Sequence, residues 1–200
     1  MEYFVYCRDK PGTGALLDEL AEAHWSYIDR FADVMIARGP TLTRDRTTHT
    51  GSMHILDLPD ARAVRAFAFE EPYQLAGAYR EVLIRRWRNE FRRTMWEYRG
   101  HAADHPRFLL LGLGRPGVNA AARALGEEHR RYLADGGYQE RIVLHGPLLS
   151  DDGRDWVGSA MLVELPGRAT VDDLVRGEPL VSAGLYASLE VHDWQFGGRP

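Results

Sequence analysis

The chain of 200 residues predicts an α+β fold in which two ferredoxin-like βαββαβ modules, fused in tandem, pack on each other as an intramolecular pseudo-dimer. Three observations predict it. The chain repeats itself in nearly constant register from end to end. Each half runs through the same order of strand and helix periodicities. A four-stranded sheet in a module of under about 100 residues has a second face that it cannot cover alone.

The repeat is read from residue positions. Pro11-Gly12 returns as Pro116-Gly117, Leu20 as Leu125, Glu22 as Glu127, His24 as His129 and Tyr27 as Tyr132, all 105 positions on. After a two-residue insertion, Gly39-Pro40 returns as Gly146-Pro147, Asp45 as Asp152, Gly51-Ser52 as Gly158-Ser159 and Leu58-Pro59 as Leu165-Pro166, now 107 positions on. Glu71-Pro72 and Glu178-Pro179, Ala76-Gly77 and Ala183-Gly184, Tyr79 and Tyr186, and Trp87 and Trp194 keep that second register. The expected organisation is a first module over 1–87, a connector over 88–106 and a second module over 107–200. The connector is charged, contains histidines and is open to a helix through Arg92, Met95 and Trp96.

Within each module the elements follow in order. Residues 2–9 and 107–113 are compact β-rich runs. After each Pro-Gly the pattern turns helical, with Leu16, Leu20, His24, Tyr27, Phe31 and Met35 at three- and four-residue steps along one face. Gly39-Pro40 is expected to end that helix, and a weaker strand is expected near 40–43 and 141–146. Strands over 51–58 and 158–165 open at Gly-Ser and close at Leu-Pro. Residues 60–69 and 170–176 read as short helices, a Glu-Pro turn follows, and 79–87 and 186–194 close each unit as strands. Sheet-on-sheet pairing within one chain is favoured over pairing with another chain, because a short linker gives an effective concentration of ~mM. A monomeric pseudo-dimer, or a homodimer of it, is the expected state.

Composition narrows the function classes. A formal charge of −4 and a pI near 6.1 offer no general attraction for phosphate backbones, so the arginine run Arg85-Arg86-Trp87-Arg88 reads as solvated rather than as a nucleic-acid surface. No stretch approaches the ~18 uninterrupted apolar residues of a membrane span. The residues after Met1 lack the layout of a signal peptide, and Cys7 is the only cysteine, so a reducing cytoplasm is expected. Gly112 to Gly117 matches G-x-G-x-x-G. The first unit has Cys7-Arg8-Asp9-Lys10-Pro11-Gly12 in the same place, and the long parallel βαβ with an acid after the second strand is missing, so no dinucleotide is expected. One cysteine, no His-x-x-x-His on a helix and no clustered carboxylates give no metal signature, a metal held by His24 with Glu71 being the one alternative, and no cofactor is expected.

Taken together, the first strand, a helix bearing one histidine, a Gly-Pro turn, a Gly-Ser strand, an acidic-Pro turn and an Ala-Gly-x-Tyr approach to the last strand resemble the YCII-related (YciI-like) family, twice over nearly the whole chain. The resemblance implies a dimeric α+β barrel with a pocket between sheet and helix. It also implies a His–carboxylate pair at the active site, with the acid usually in Asp-Pro. Here Glu71-Pro72 and Glu178-Pro179 stand in its place, keeping the carboxylate on a longer arm. The superfamily further includes muconolactone isomerase-like enzymes and cofactor-independent oxygenases.

The candidate chemistry follows. Of the eight histidines, only His24 and His129 correspond to each other. His24 lies in the apolar stripe of its helix, so its ring points at the sheet, where Glu71 can fix its tautomer and strengthen it as a base; the plainer reading is a hydrogen-bonded core histidine. Glu71 and Glu178 read equally as helix caps. Tyr27 and Tyr132, one turn after each histidine, are candidate donors to a substrate oxygen or core filler. Trp25, Ser52, Tyr73, Arg85 and Asp45 are candidate substrate contacts, with Asp45 and Asp152 also readable as turn residues. Ser52 and Ser159 lack a nucleophile elbow.

These residues point to a cofactor-independent enzyme that transfers a proton on a small organic substrate, cyclic or aromatic, with a carbonyl or carboxylate: an isomerase, lyase, dehydratase or cyclase. Secondary metabolism or aromatic catabolism is the setting suggested by analogy. A non-catalytic binding or sensing protein and a cofactor-free oxygenase are the rival readings. Since Arg130 replaces Trp25 and Leu180 replaces Tyr73 in the second unit, the first is the expected active one.

Overall fold

The structure, a computed structural model, describes residues 1–100 and 105–198. The chain resolves into two compact units, Met1–Arg86 with Asp193–Pro200, and Trp87–His192. In the first, β1 (Glu2–Asp9), α1 (Gly14–Asp29), β2 (Met35–Leu42), β3 (His49–Asp57), α2 (Ala61–Phe69), α3 (Pro72–Leu75) and β4 (Tyr79–Trp87) follow in order. In the second come β5 (Arg107–Gly114), α4 (Asn119–Asp135), β6 (Ile142–Leu149), β7 (Trp156–Glu164), α5 (Arg168–Gly177), α6 (Pro179–Ser182) and β8 (Tyr186–Trp194).

The first sheet runs β4-β1-β3-β2 and the second β8-β5-β7-β6. Pairing is antiparallel, with Val5 opposite His54 and Ile84, and Arg38 opposite His54. Alternation in β1 sends Tyr3, Val5 and Cys7 toward α1 and α2, where they pack with Leu17, Ile28, Val64 and Phe67. Phe4 and Tyr6 point to the other face and are also buried. The second sheet repeats this, with Phe108 and Leu110 among the helix-side core and Leu109 and Leu111 buried opposite. Such runs, buried on both sides, read as continuous apolar segments rather than as alternating ones.

Local chemistry places the short helices. Asp60 caps α2 by accepting from the Ala63 backbone N–H at 2.8 Å. Glu71 caps α3, whose first residue is Pro72, a position where the missing N–H costs nothing.

Three expectations change. The Gly-Pro pairs are not helix stops: Gly39-Pro40 lies within β2 and Gly146-Pro147 within β6. A Cβ at Gly39 would collide with the Gln195 carbonyl and approach Trp194 Nε1 to 2.8 Å, and one at Gly146 would collide with the Arg88 carbonyl and approach the Trp87 ring to 2.8 Å. The glycines are there because another stretch of backbone and a tryptophan cross each strand closely.

That crossing accounts for the second change. In the first unit Trp194 pairs with Thr41, and the Gln195 N–H donates to Pro40. In the second, Trp87 Nε1 donates to the Gly146 carbonyl at 3.1 Å, while the Arg88 and Glu90 N–H groups donate to Pro147 and His145. Residues 193–198 therefore belong to the first unit, and the start of the 88–106 stretch belongs to the second, tied to β6 by the Arg88 and Glu90 backbone hydrogen bonds. The helix expected through Met95 is a single 3-10 turn, Met95–Glu97, and residues 101–104 of that stretch lie outside the described residues.

Third, α1 ends at Asp29, short of Phe31 and Met35, because Met35 and Ile36 are buried in β2. The two inserted residues of the second unit fall where α4 ends, around Gly136 and Gly137; Gly137 has φ of 69°, a left-handed conformation that glycine adopts freely.

Candidate functional site

His24 faces the sheet from α1 and is 9% exposed. Its Nδ1 lies 2.5 Å from Glu71 Oε1. Glu71, at the start of α3, also accepts from the backbone N–H groups of Tyr73 at 3.1 Å and Gln74 at 3.0 Å. The capping and pairing readings of Glu71 therefore hold together: the turn that it caps aims its carboxylate at the imidazole. Because a carboxylate accepts only, Nδ1 carries the hydrogen, and in the neutral form of the ring the lone pair lies on Nε2. Tyr73 stacks on the ring with centroids 4.2 Å apart at 9°, and its hydroxyl donates to the Leu17 carbonyl at 3.0 Å. Burial, then the Glu71 charge, push that hydroxyl up to about 12, so it stays a donor.

Nε2 of His24 makes no hydrogen bond among the described residues, and the ring borders an open cavity of about 810 Å³. Trp25, Arg46, His49, Tyr73 and Phe196 also line it. His49 brings a second His–carboxylate pair, with Nδ1 2.5 Å from Asp9 Oδ2. Two imidazoles, each held at Nδ1 by a carboxylate, thus border one cavity.

The other expected residues stand elsewhere. The Tyr27 hydroxyl donates to the carbonyls of Ala66 and Phe67 at 3.2 and 3.1 Å, and Tyr132 does the same to Leu174 at 3.0 Å. These hydroxyls tie α1 and α4 to the ends of the following helices. Ser52 is buried and accepts from the Tyr79 hydroxyl at 3.3 Å, away from the cavity. Asp45 closes the turn after β2 by accepting from the Thr43 and Thr47 hydroxyls, which hold its carboxyl low, the Thr43 bond contributing most. Arg85 pairs in register with Phe4, so it stands on the sheet face opposite the helices and lines no part of the cavity. The guanidinium beside the cavity is that of Arg46, which also meets Asp193 at 2.9 Å. Cys7 is buried, which pushes its thiol up and leaves it no nucleophile.

In the second unit His129 Nδ1 lies 2.5 Å from Glu178 Oε1, as in the first. Its Nε2, however, is met by His145 Nε2 at 3.3 Å. Burial holds His145 neutral, pushed down to about 3, with the His129 charge adding to the effect. The two Nε2 atoms share a hydrogen bond, so Nε2 of His129 is partnered by His145 rather than left unbonded, as in His24 among the described residues. Glu90 Oε2 lies 3.8 Å from His145 Nδ1, too far for a hydrogen bond, and with His145 neutral this is no ion pair. In the first unit the extra imidazole is His54, whose ring centre lies 6.1 Å from that of His24, and burial pushes it well below the usual histidine range.

Residue-by-residue comparison of the halves sets His54 and His145 aside, because Met161 and Arg38 stand at their counterparts. The structure shows why that comparison misses them. Arg38 pairs with His54 across β2 and β3, and His145 with Met161 across β6 and β7. The histidine has changed strands within one cross-strand pair, so it reaches the same helix face from either side. The G-x-G-x-x-G stretch is also settled by packing: Gly112 lies against the Tyr186 ring and Gly114 against Trp156, and β5 pairs antiparallel with β7.

The YCII-related domain profile matches residues 1–88 and 106–195. Among solved structures, a mutant chlorite dismutase from Candidatus Nitrospira defluvii superposes with a TM-score of 0.63 at 12% identity, covering 98% of this chain and 91% of that one. The 5-chloro-2-hydroxyhydroquinone dehydrochlorinase TftG from Burkholderia phenoliruptrix AC1100, solved with 2,5-dihydroxybenzoquinone, matches at 25% identity over 46% of this chain and 99% of that one, with a TM-score of 0.43. A search of proteins of curated function finds no significant match. The first likeness is one of fold alone and supports the α+β class, of the dimeric α+β barrel type. With the profile matched over both halves, the chain belongs to the YCII-related domain family and carries that domain twice.

Proposed function

We propose that the cavity of the first unit is the active site of a small-molecule enzyme that works by proton transfer without a cofactor, as an isomerase or lyase. One observation carries this reading: the His24 ring borders the cavity with Glu71 at its Nδ1 and no hydrogen bond at Nε2 among the described residues, and a second carboxylate-held imidazole, His49, borders the same space.

His24 Nε2 takes a proton from a carbon next to a carbonyl, and the C–H electron pair moves into an enolate. His49, entering protonated, returns a proton to the enolate oxygen, to another carbon, or to a leaving group that departs with its electron pair. The Glu71 carboxylate steadies the imidazolium as it forms, as an orienting acid does in other histidine dyads. Trp25 and Phe196 offer flat apolar walls suited to a cyclic substrate, and Arg46 places positive charge where a substrate carboxylate would be drawn.

Exchange of carbon-bound hydrogen for deuterium in D₂O, followed by proton NMR over a panel of cyclic ketones, diketones and keto acids, tests this. The wild type should catalyse exchange on at least one member. His24→Ala should lower that rate by about 10²- to 10⁴-fold while the compound still binds. Glu71→Gln should lower it too, since an amide that donates to Nδ1 would move the hydrogen to Nε2. Equal exchange by the wild type and His24→Ala would sink the proposal. Binding without exchange in the wild type would favour a sensing protein, and oxygen uptake on adding the compound would favour an oxygenase.

A further inference from the structure

We propose that the corresponding cavity of the second unit is a binding site for a compact anion carrying two or more negative charges on carboxylate or phosphate groups. This stands apart from the reading of the first cavity, because it rests on different residues and needs no chemistry from His129.

The second cavity, of about 320 Å³, is bordered by His129 and His145 and by four arginines, Arg88, Arg123, Arg130 and Arg154, with Glu90 as the only acid lining it among the described residues. At the matching positions of the first unit stand Gln195, Asp18, Trp25 and Thr47, all of which line that unit's cavity. Every one of these four positions differs between the halves, and in the second all are arginine. A chain with a formal charge of −4 has thus gathered positive charge around one concave site. General arginine richness would scatter the residues rather than place four around one hollow.

Their partners leave much of that charge available. Arg88 meets Glu90 at 3.2 Å, and Arg154 has only Asp152 at 3.8 Å. Arg123 and Arg130 form no ion pair among the described residues. They lie seven residues apart on α4, two turns along one face, with the Arg130 guanidinium lying over Gly126 between them. Guanidinium groups on a concave wall suit carboxylate or phosphate oxygens, which they engage in pairs of parallel hydrogen bonds. The volume is at the low end of small-molecule sites, about 300 to 1,000 Å³, which suits an anion the size of citrate or pyrophosphate. The imidazole floor fits binding rather than turnover, since Nε2 of His129 is already hydrogen-bonded to Nε2 of His145.

Isothermal titration of the full chain at low ionic strength, with pyrophosphate, citrate and sulfate as probes, tests the site. We expect saturable one-to-one binding of pyrophosphate or citrate, weakened by added salt, with the tighter of the two identifying phosphate or carboxylate as the preferred group. Arg123→Gln with Arg130→Gln should weaken it by about tenfold or more for each charged contact removed. Arg123→Asp with Arg130→Trp, which installs the first unit's residues, should abolish it. All four changes are at exposed positions, and circular dichroism checks the fold. Arg62→Gln, an exposed arginine of the first unit, should leave binding intact. Absence of saturable binding for all three probes, equal affinity in the Arg123/Arg130 variants, or equal loss in Arg62→Gln would overturn the proposal.

Discussion

Replacing His145 with glutamine should flatten the pH dependence of stability between pH 7.5 and 5. His145 is buried, and its folded value is pushed down to about 3 from an ordinary 6.5. Between those values the unfolded chain binds a proton that the folded one excludes, so stability rises with pH. The contribution is fully present above pH 6.5 and is lost as the pH falls toward about 3. At pH 5 the unfolded histidine has been protonated over roughly 1.5 units at about 1.4 kcal/mol each, a loss of about 2 kcal/mol. With a urea slope of about 2 kcal/mol per molar, the midpoint of the wild type should fall by about 1 M from this group alone. His145→Gln starts from its own midpoint and should lack that component. Urea titrations followed by tryptophan fluorescence at several pH values measure both slopes. His54 and the depressed carboxylates act in the same direction in both proteins, so the difference isolates His145. Parallel slopes from pH 7.5 to 5 would mean that His145 is not buried neutral against His129.

Two further outcomes are expected. Gly39→Ala and Gly146→Ala should each destabilise the chain by about 1–3 kcal/mol or more, because the added Cβ meets the Gln195 or Arg88 carbonyl and a tryptophan ring; calorimetry showing unchanged melting would refute the close crossing. Tyr27→Phe should cost about 1 kcal/mol of stability, through the lost bonds to Ala66 and Phe67, and leave deuterium exchange unchanged; a fall in exchange at unchanged stability would return Tyr27 to the chemistry.

Of the candidate site, the sequence exposed the parts that both halves share. His24 with Glu71, and His129 with Glu178, stand at repeated positions, and each pair is formed by two local features: a helix stripe and a capped turn. Trp25 and Tyr73, read from the sequence as candidate substrate contacts, line the first cavity. Tyr27, named for its spacing from His24, and Arg85, named for its charge, stand elsewhere. Tyr27 is one turn from His24 but its hydroxyl reaches the end of α2, and Arg85 sits on the wrong sheet face. His49, His54 and His145 were passed over because each lacks a histidine at its counterpart.

Sequence alone determined the duplication, the βαββαβ order and the pairing of one helix histidine with one glutamate, because periodicity, capping and repeat register act over a few residues at a time. Tertiary structure decided the rest. Only strand register brings His54 or His145 to the same helix face, and only the crossing of Trp194 and Trp87 explains why Gly39 and Gly146 are glycine. Both are contacts between residues far apart in the chain, and their geometry depends on how backbones pass one another, which no local pattern encodes.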